Sequence, residues 1–171
     1  SCNMLHQLQS RRGYRANTDS WVLAYAAWSD LEHSSSKPLS VVDLGAGNGL
    51  ASIIFGLRSQ RLATMCLVEF QEQLALKAGR NMELNGIPGA DVRFHDLKFD
   101  LPSDLHGIAD VVLCNPPFYG LTTRLPPKNM EKRLAHIETS AGIFEFMIAA
   151  RRAVRSCGSV YIIYDILNVD R

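Results

Sequence analysis

Short apolar runs alternate along the chain with longer segments in which apolar residues recur every three or four positions. The runs predict strands at residues 41–44, 65–69, 92–95, 109–114 and 159–164. The longer segments predict helices at residues 18–31, 50–59, 71–85 and 140–156, with Gly158 ending the last of them. Strands that alternate with helices indicate βαβ units. The sequence therefore predicts an α/β fold with a doubly wound, mostly parallel sheet.

Composition fits a single domain and argues against two classes of protein. The 171 residues fall within the roughly 100–200 residues of a typical domain. Hydrophobic residues make up 47% of the chain and charged residues 20%, as in a globular rather than an intrinsically disordered protein. The apolar runs are far shorter than the ~20 residues that span a bilayer, so we expect no membrane partner.

The four cysteines, Cys2, Cys66, Cys114 and Cys157, lie far apart in the sequence. No C-x-x-C pair and no H-E-x-x-H motif occurs, so we expect no metal site. Cys66 and Cys114 lie within apolar runs and are expected to be buried. Reduced thiols predict an intracellular, cytoplasmic location, with targeting to an organelle left open.

The formal net charge of +1 is the balance of an uneven distribution that includes three basic clusters. The clusters are Arg11, Arg12 and Arg15; Arg124, Lys128, Lys132 and Arg133, offset in part by Glu131; and Arg151, Arg152 and Arg155. Such clusters are either solvated surfaces or a rim that contacts phosphates. Charge alone does not separate these two interpretations.

A glycine-rich segment, Asp43-Leu44-Gly45-Ala46-Gly47-Asn48-Gly49, follows the first predicted strand. Its G-x-G-x-G spacing differs from the G-x-G-x-x-G of a dinucleotide fingerprint, and the lysine of a P-loop is missing. Closely spaced glycines let a backbone approach a ligand, and the neighbouring acid suits a ligand with a positive centre. The alternative is a tight turn that binds no ligand.

Two further acids lie at or just after the ends of predicted strands. Glu69, at the end of the second strand, is placed to accept hydrogen bonds from ribose hydroxyls. Asp96, after the third, is placed to accept one from an adenine amino group. The alternatives are an ordinary surface acid at a strand end and a loop cap, and His95 is expected to be a packed strand residue rather than a base.

The segment Asn115-Pro116-Pro117-Phe118 follows the fourth predicted strand. Two consecutive prolines remove two N–H donors and fix two φ angles, which leaves rigid carbonyl acceptors. The Asn115 side chain adds an acceptor, and Phe118 and Tyr119 offer aromatic faces for stacking. This combination suits an amino group on a flat ring, and the alternative is a turn that merely ends a strand.

Together these motifs resemble, in order and spacing, the class I S-adenosylmethionine-dependent methyltransferases that carry an N-P-P-[FYW] motif. The residues His6-Gln7, Gly13-Tyr14-Arg15-x-Asn17-Thr18-Asp19-Ser20 and Leu23-Ala24 resemble the corresponding segment of bacterial tRNA adenine-N6 methyltransferases that modify a valine tRNA. The resemblance covers residues 5–167. It implies a Rossmann-like class I methyltransferase fold and S-adenosylmethionine as cofactor.

The resemblance also implies roles for individual residues. It implies a cofactor site formed by Asp43, Gly45, Gly47, Gly49, Glu69, Asp96, Leu97, Tyr14, Asn17 and Asn115. It implies that the catalytic residues are Asn115, Pro116, Pro117 and Phe118. Substrate contacts are expected from Phe118 and Tyr119, which stack on the base, and from the basic residues Arg11, Arg12, Arg15, Arg124, Lys128 and Arg133, which meet RNA phosphates.

We expect one methyltransferase domain over residues 1–171. Residues 1–35 are predicted to form an N-terminal lid or helical segment, and residues 36–171 a core that binds S-adenosylmethionine. The class I sheet has seven strands and five are predicted here, so we expect the C-terminal strands to be missing and the natural protein to continue past Arg171.

The predicted function is transfer of a methyl group from S-adenosylmethionine to the exocyclic N6 amino group of adenine in tRNA. One alternative keeps the chemistry and changes the acceptor to ribosomal RNA guanine, DNA adenine or protein glutamine. A second is a non-catalytic subunit with a methyltransferase fold, and a third is a dinucleotide-dependent oxidoreductase. The glycine spacing and the Asn115 motif argue against the last, and the basic clusters favour RNA as the partner.

Overall fold

Strands and helices alternate along the part of the chain that the structure describes. This structure is a computed structural model, and it describes residues 5–8, 18–31, 37–87, 89–117 and 141–164. Its elements are α1 (Thr18–Leu31), β1 (Leu39–Leu44), α2 (Leu50–Arg58), β2 (Leu62–Glu69), α3 (Glu72–Leu84), β3 (Ala90–Phe94), a 3-10 helix (Ser103–Leu105), β4 (Ala109–Cys114), α4 (Ile143–Ala153) and β5 (Val154–Ile162). No helix within these ranges has both the length and the apolarity needed to cross a membrane.

The five strands form one parallel sheet in the order β3-β2-β1-β4-β5. Near the end of β1, Leu44 pairs with Val68 on β2 and with Cys114 on β4. The chain leaves β3 at one edge of the sheet and returns as β4 on the other side of β1. Ligands of open parallel sheets bind beyond the carboxyl ends of the strands at such a switch point. The predicted α/β fold is confirmed, and its switch point lies between β1 and β4.

Helices cover both faces of the sheet. Helices α1, α2 and α3 pack on one face, around Ile53, Phe55 and Met82. Helix α4 and residues 97–105 pack on the other face, around Phe146. Strands β1 and β4 are therefore enclosed on both sides, which explains why their sequences are nearly continuous apolar runs.

The helix predicted over residues 140–156 is wrong at its C-terminal end. The observed helix α4 ends at Ala153, and β5 follows without a loop. A Cβ atom on Gly158 would lie 2.8 Å from the carbonyl oxygen of Ala109, and the register between β4 and β5 shifts at this point. Gly158 is thus required by a bulge that brings two strands close together, and it does not end a helix.

The remaining helices and strands are confirmed, with ends displaced by a few residues. His95, predicted as a strand residue, lies just after β3 and donates its N–H to the carbonyl of Glu69 at 3.0 Å. Cys66 and Cys114 are buried free thiols, as predicted. Burial raises the pKa of Cys66 to about 12 and also raises the pKa of Cys114, so both behave as small apolar residues.

Candidate active site

The glycine loop, residues 45–49, runs from the end of β1 to the start of α2 and is held against the end of β2. The N–H groups of Gly45 and Ala46 both donate to the carbonyl of Val68, at 2.8 and 3.1 Å. The N–H of Gly49 donates to the carbonyl of Ala46 at 2.9 Å and closes a turn. The loop is therefore fixed by its main chain at the ends of two central strands.

Gly45 occupies a position where a side chain has no room. Its φ of +69° lies in the left-handed region, and a Cβ atom there would lie 2.7 Å from the ring of Phe146 on α4. Phe146 is itself buried, with 4% of its surface exposed, so it cannot easily move away. The glycine thus permits α4 to pack against the loop, in addition to the predicted approach of the backbone to a ligand.

Glu69 joins the glycine loop to the turn before α3. Its Oε2 accepts the N–H of Gly47 at 2.9 Å, and its Oε1 accepts the N–H of Gln71 at 2.8 Å. Burial raises the pKa of the Glu69 carboxyl, while the N–H donors act in the opposite direction. Each carboxylate oxygen has two lone pairs, so these bonds leave acceptor capacity for ribose hydroxyls.

Asp43 lies within β1 and is buried, with 1% of its surface exposed. The hydroxyl of Ser52 on α2 donates to its Oδ2 at 2.6 Å. Burial raises the pKa of Asp43 to about 7, the negative charge of Glu69 adds to the rise, and the Ser52 hydrogen bond opposes it. Asp43 therefore titrates near neutrality while it ties β1 to α2.

The chemistry of these two carboxyl groups fits the predicted cofactor. No lysine, arginine or histidine within the described ranges forms an ion pair with Asp43 or Glu69. A buried carboxylate without a cationic partner is unfavourable, and a bound cation relieves that cost. S-adenosylmethionine carries a sulfonium and an ammonium group, so this end of the sheet suits it.

Asp96 and Leu97 follow β3. The Asp96 Oδ1 accepts the N–H of Lys98 at 3.0 Å, and its carbonyl accepts the N–H of Phe99 at 3.0 Å. Leu97 is buried and packs in the same apolar cluster as Val68. Asp96 thus caps a turn, and its carboxylate keeps capacity for a further hydrogen bond.

The predicted acceptor motif begins beside the glycine loop. Residues 115–117 follow β4, whose last residue, Cys114, pairs with Leu44 of β1. The carbonyl oxygen of Asn115 lies 3.9 Å from the position of a Cβ on Gly45. The structure therefore brings together the two segments to which the sequence assigns cofactor binding and catalysis.

Further along this segment, Pro116 is buried and Pro117 is half-buried. The other predicted site residues lie outside the described part of the chain: Tyr14, Asn17, Arg11, Arg12, Arg15, Phe118, Tyr119, Arg124, Lys128 and Arg133. The ligand roles of all the site residues remain predictions.

Two arginines of the third basic cluster pair with acids of this domain. Arg152 lies 2.7 Å from Asp100, and Arg155 pairs with Asp110. Asp110 also accepts the N–H of Ser40 at 2.9 Å, so it links the start of β1 to β5. These contacts favour the interpretation of this cluster as a solvated surface rather than a phosphate-binding rim.

Sequence reasoning missed three residues that organise the site: Ser52, Asn81 and Phe146. Ser52 is a buried polar residue in an otherwise apolar stretch of α2, and that contrast was an available signal. Asn81 is likewise a buried polar residue within α3. The contact of Phe146 with the loop carries no such signal, because it depends on how α4 packs.

Solved structures with the same fold are methyltransferases. A SAM-dependent methyltransferase from Agrobacterium tumefaciens has a TM-score of 0.59 at 15% identity, with 87% of this chain and 45% of that chain covered. The ribosomal protein L11 methylase from Lactobacillus delbrueckii subsp. bulgaricus has a TM-score of 0.57 at 17% identity, with 91% and 65% covered. The chain thus has the Rossmann-like fold of these structures.

The model of the methyltransferase small domain family matches residues 29–165, and the chain belongs to this family. Membership confirms the predicted class, a methyltransferase that depends on S-adenosylmethionine, and with it the predicted cofactor.

Curated relatives of the chain are named as RNA methyltransferases. The tRNA1(Val) (adenine(37)-N6)-methyltransferase of Flavobacterium psychrophilum is 30% identical over 147 residues, which cover 83% of this chain and 57% of the relative. The ribosomal RNA large subunit methyltransferase G of Shewanella oneidensis is 36% identical over 85 residues, which cover 47% of this chain and 21% of the relative. The matched region thus spans little more than half of the first relative's length and about a fifth of the second's.

Proposed function

We propose that this chain transfers the methyl group of S-adenosylmethionine to the exocyclic N6 amino group of adenine in tRNA. The proposal rests on one observation above the others. The Asn115-Pro116-Pro117 segment begins beside the glycine loop, with the Asn115 carbonyl oxygen 3.9 Å from the Cβ position of Gly45. The relative named as a tRNA adenine-N6 methyltransferase supports the choice of acceptor, because its match extends over 83% of the chain.

In this proposal the residues around the glycine loop bind the cofactor. The loop would lie against its amino-acid part, Glu69 would accept hydrogen bonds from its ribose hydroxyls, and Asp96 with Leu97 would hold its adenine. The cofactor supplies an electrophilic methyl group on a positively charged sulfur. Buried carboxyls near that charge stabilise it more than they would in water, because the surroundings have a low dielectric.

Residues at the end of β4 orient the target amino group. The Asn115 side chain and the Pro116 carbonyl accept its two N–H bonds, so the nitrogen lone pair turns out of the ring plane toward the methyl group. Stacking on Phe118 or Tyr119 stabilises the extruded base by about 1–3 kcal/mol. The new N–C bond would form as the bond from the methyl carbon to sulfur breaks, with the neutral thioether as leaving group. No strong base is needed, because the methylated nitrogen is cationic and would lose its proton readily to water. Catalysis is then mainly orientation and electrostatics.

A second candidate acceptor is an amino group of ribosomal RNA. The relative named as a ribosomal RNA large subunit methyltransferase supports it with the higher identity, 36%. Guanine, like adenine, is a flat ring that carries an amino group. The Asn115 side chain and the Pro116 carbonyl would therefore also fit the amino group of guanine. The match to that relative covers only 47% of the chain, so tRNA adenine is the first choice.

A methyl-transfer assay with radiolabelled S-adenosylmethionine tests the proposal. The full chain is incubated separately with tRNA, ribosomal RNA, DNA and protein, and labelled nucleosides are identified after digestion. We expect label in N6-methyladenosine from tRNA, and much less with Asn115→Ala.

Each other outcome changes a defined part of the proposal. Label in another pool would retain the methyltransferase chemistry and replace the acceptor. Cofactor binding without label in any pool would overturn catalysis by this chain alone and favour a non-catalytic or partner-dependent subunit.

A further inference from the structure

Asn81 is a polar residue in the last turn of α3 with none of its surface exposed. Both the oxygen and the nitrogen of its side-chain amide form hydrogen bonds. The Oδ1 accepts the N–H of Leu8 at 2.6 Å, and the Nδ2 donates to the carbonyl of Leu8 at 3.2 Å. The same Nδ2 donates to the carbonyl of Asn48 at 2.8 Å. One buried amide therefore joins the N-terminal segment to the glycine loop.

Asn85, one helical turn after Asn81, holds the same N-terminal segment. Its Oδ1 accepts the N–H of His6 at 2.9 Å, and its Nδ2 donates to the carbonyl of His6 at 2.6 Å. The two amides thus bind the main chain of residues 6 and 8 in the way that a neighbouring strand would. These hydrogen bonds involve only the main chain of the segment, so they do not depend on its side chains.

Of the two asparagines, Asn81 also contacts the glycine loop. Asn48, whose carbonyl Asn81 binds, is buried and lies between Gly47 and Gly49. Glu69 binds the N–H of Gly47, so the loop is held on one side by Glu69 and on the other by Asn81. The second donor bond of Asn85 goes instead to the carbonyl of Asn81, within α3.

From this geometry we infer that Asn81 is a positioning residue for the cofactor: it holds the glycine loop in the shape that binds S-adenosylmethionine and docks residues 5–8 on that loop. The inference rests on cofactor binding by the loop and is independent of which molecule accepts the methyl group. A loop already held in its binding shape loses little entropy when the ligand arrives, and loss of the Asn81 bond would remove that advantage. It would also leave the buried Asn48 carbonyl without its donor.

The matched substitutions Asn81→Asp and Asn85→Asp separate the two roles. Each keeps the size of the side chain and replaces the donating Nδ2 with an oxygen that repels carbonyls. Both variants are expected to loosen residues 5–8, but only Asn81→Asp should disturb the glycine loop. The measurements, made on the full chain, are the dissociation constant of S-adenosylmethionine by calorimetry, the melting temperature, and hydrogen exchange at residues 5–8 and 45–49.

We expect Asn81→Asp to raise the dissociation constant about tenfold or more and to speed exchange at residues 45–49. Asn85→Asp should change the dissociation constant by less than about twofold while it speeds exchange at residues 5–8. A merely structural role would lower the melting temperatures and leave the affinities of the folded variants equal. Equal affinities would therefore overturn the inference.

A milder pair, Asn81→Ser and Asn85→Ser, keeps the test decisive if the charged variant does not fold. Serine is too short to bridge both carbonyls but introduces no repulsion, so we expect about a threefold loss of affinity for the first and none for the second. If the unaltered chain bound no S-adenosylmethionine, this inference and the cofactor role of the loop would fall together. Binding without methyl transfer would leave the inference intact and overturn only the proposed function.

Discussion

The carboxyl ends of β1 and β4 lie side by side and differ in the groups that they present. The end of β1 continues into a loop of N–H donors, which bond to the Val68 carbonyl and to the Glu69 carboxylate. The end of β4 continues into two prolines, which have no N–H and present only carbonyl oxygens beside the Asn115 amide. One end is rich in donors and buried carboxyls, and the other is rich in acceptors.

This difference suggests a division of labour at the switch point. Buried carboxyls and a fixed loop suit a cationic ligand that must be bound tightly in one orientation. Rigid carbonyls and an amide oxygen suit a group that donates two hydrogen bonds, such as an amino group on a ring. Substitutions at the end of β4 should therefore reduce turnover, and substitutions around the β1 loop should reduce cofactor affinity or stability.

The largest effect is expected from Asn115→Ala. Loss of an oriented polar group that acts on the reacting atoms lowers turnover by about two to three orders of magnitude, or about 3–4 kcal/mol. Cofactor affinity should fall far less than turnover, because Asn115 is one of many predicted cofactor residues and the loop at the end of β1 is untouched. Turnover with an RNA acceptor and calorimetry with the cofactor provide the two measurements.

The exposed amide of Gln73 on α3 offers a matched control for this substitution. Gln73→Ala should leave both turnover and affinity unchanged. If Asn115→Ala weakened cofactor binding as much as it lowered turnover, the two strand ends would not act separately and the division of labour would be wrong.

The next effect is on stability, at Gly45. Gly45→Ala forces a left-handed φ on a residue with a Cβ and pushes that atom to 2.7 Å from the buried ring of Phe146. Together these should lower the free energy of unfolding by about 2–4 kcal/mol. Urea denaturation measures the change as a shift in the midpoint.

Gly107→Ala separates the two contributions. Its φ is +63°, but nothing lies within 4 Å of a Cβ there, so backbone strain alone should cost about 1 kcal/mol. Equal losses at the two positions would mean that α4 does not pack tightly against the glycine loop.

Gly158 is a residue whose role in the fold could not be predicted from the sequence. Apolar runs and helical periods predicted the five strands and the parallel sheet, because burial on one or both faces imposes those periods. A glycine after a helical pattern fits both a helix end and a strand bulge. Only its approach to the carbonyl of Ala109 decides between them, and that approach depends on a strand far away in the sequence.

For the candidate site, too, some residues were predictable from the sequence and others were not. Glu69, Asp96 and Asn115 were predicted as candidate site residues because each lies at or just after the end of a strand, and the ends of parallel strands meet at one edge of a sheet. The hydrogen bond between Asn81 and the N–H of Leu8 joins residues 73 positions apart, and no local pattern encodes it. Candidate ligand-binding residues at strand ends are therefore easier to find from the sequence than residues that hold the loop.

A smaller effect is expected from Glu69→Gln. The substitution keeps the shape but replaces one carboxylate oxygen with an amide nitrogen, which accepts no hydrogen bond. The Gly47 and Gln71 N–H groups and a ribose hydroxyl then have only one side-chain oxygen among them. We expect cofactor affinity to fall by about tenfold, or about 1.4 kcal/mol, as calorimetry would measure. Glu83→Gln, on the exposed surface of α3, is the matched control and should leave affinity unchanged. If Glu69→Gln lowered turnover more than affinity, Glu69 would act on the methyl acceptor, like the residues at the end of β4, rather than on the cofactor.

The last expected effect is on the pH dependence of stability, through Asp43, and it is small over any narrow range of pH. Its pKa is raised by burial from 3.8 to about 7, so between these values the folded protein holds a proton that the unfolded chain has lost. The contribution of this bound proton to the free energy of unfolding is therefore fully present below about pH 4, and it is lost as the pH rises through about 7. The slope in this window is at most about 1.4 kcal/mol per pH unit.

Asp43→Asn should lower this slope, because the amide stays neutral at every pH in the window, while Glu69, whose pKa burial also raises, keeps its own part of the slope. Urea denaturation across the window measures the free energy of unfolding of both proteins. Asp104→Asn replaces an acid that is half-exposed and paired with Arg93 on the surface, and it should leave the slope nearly unchanged. A slope as steep in Asp43→Asn as in the unaltered protein would mean that Asp43 is ionised in the folded protein well below pH 7. The loop at the end of β1 would then carry a permanent negative charge, and its contrast with the uncharged end of β4 would be stronger than the raised pKa implies.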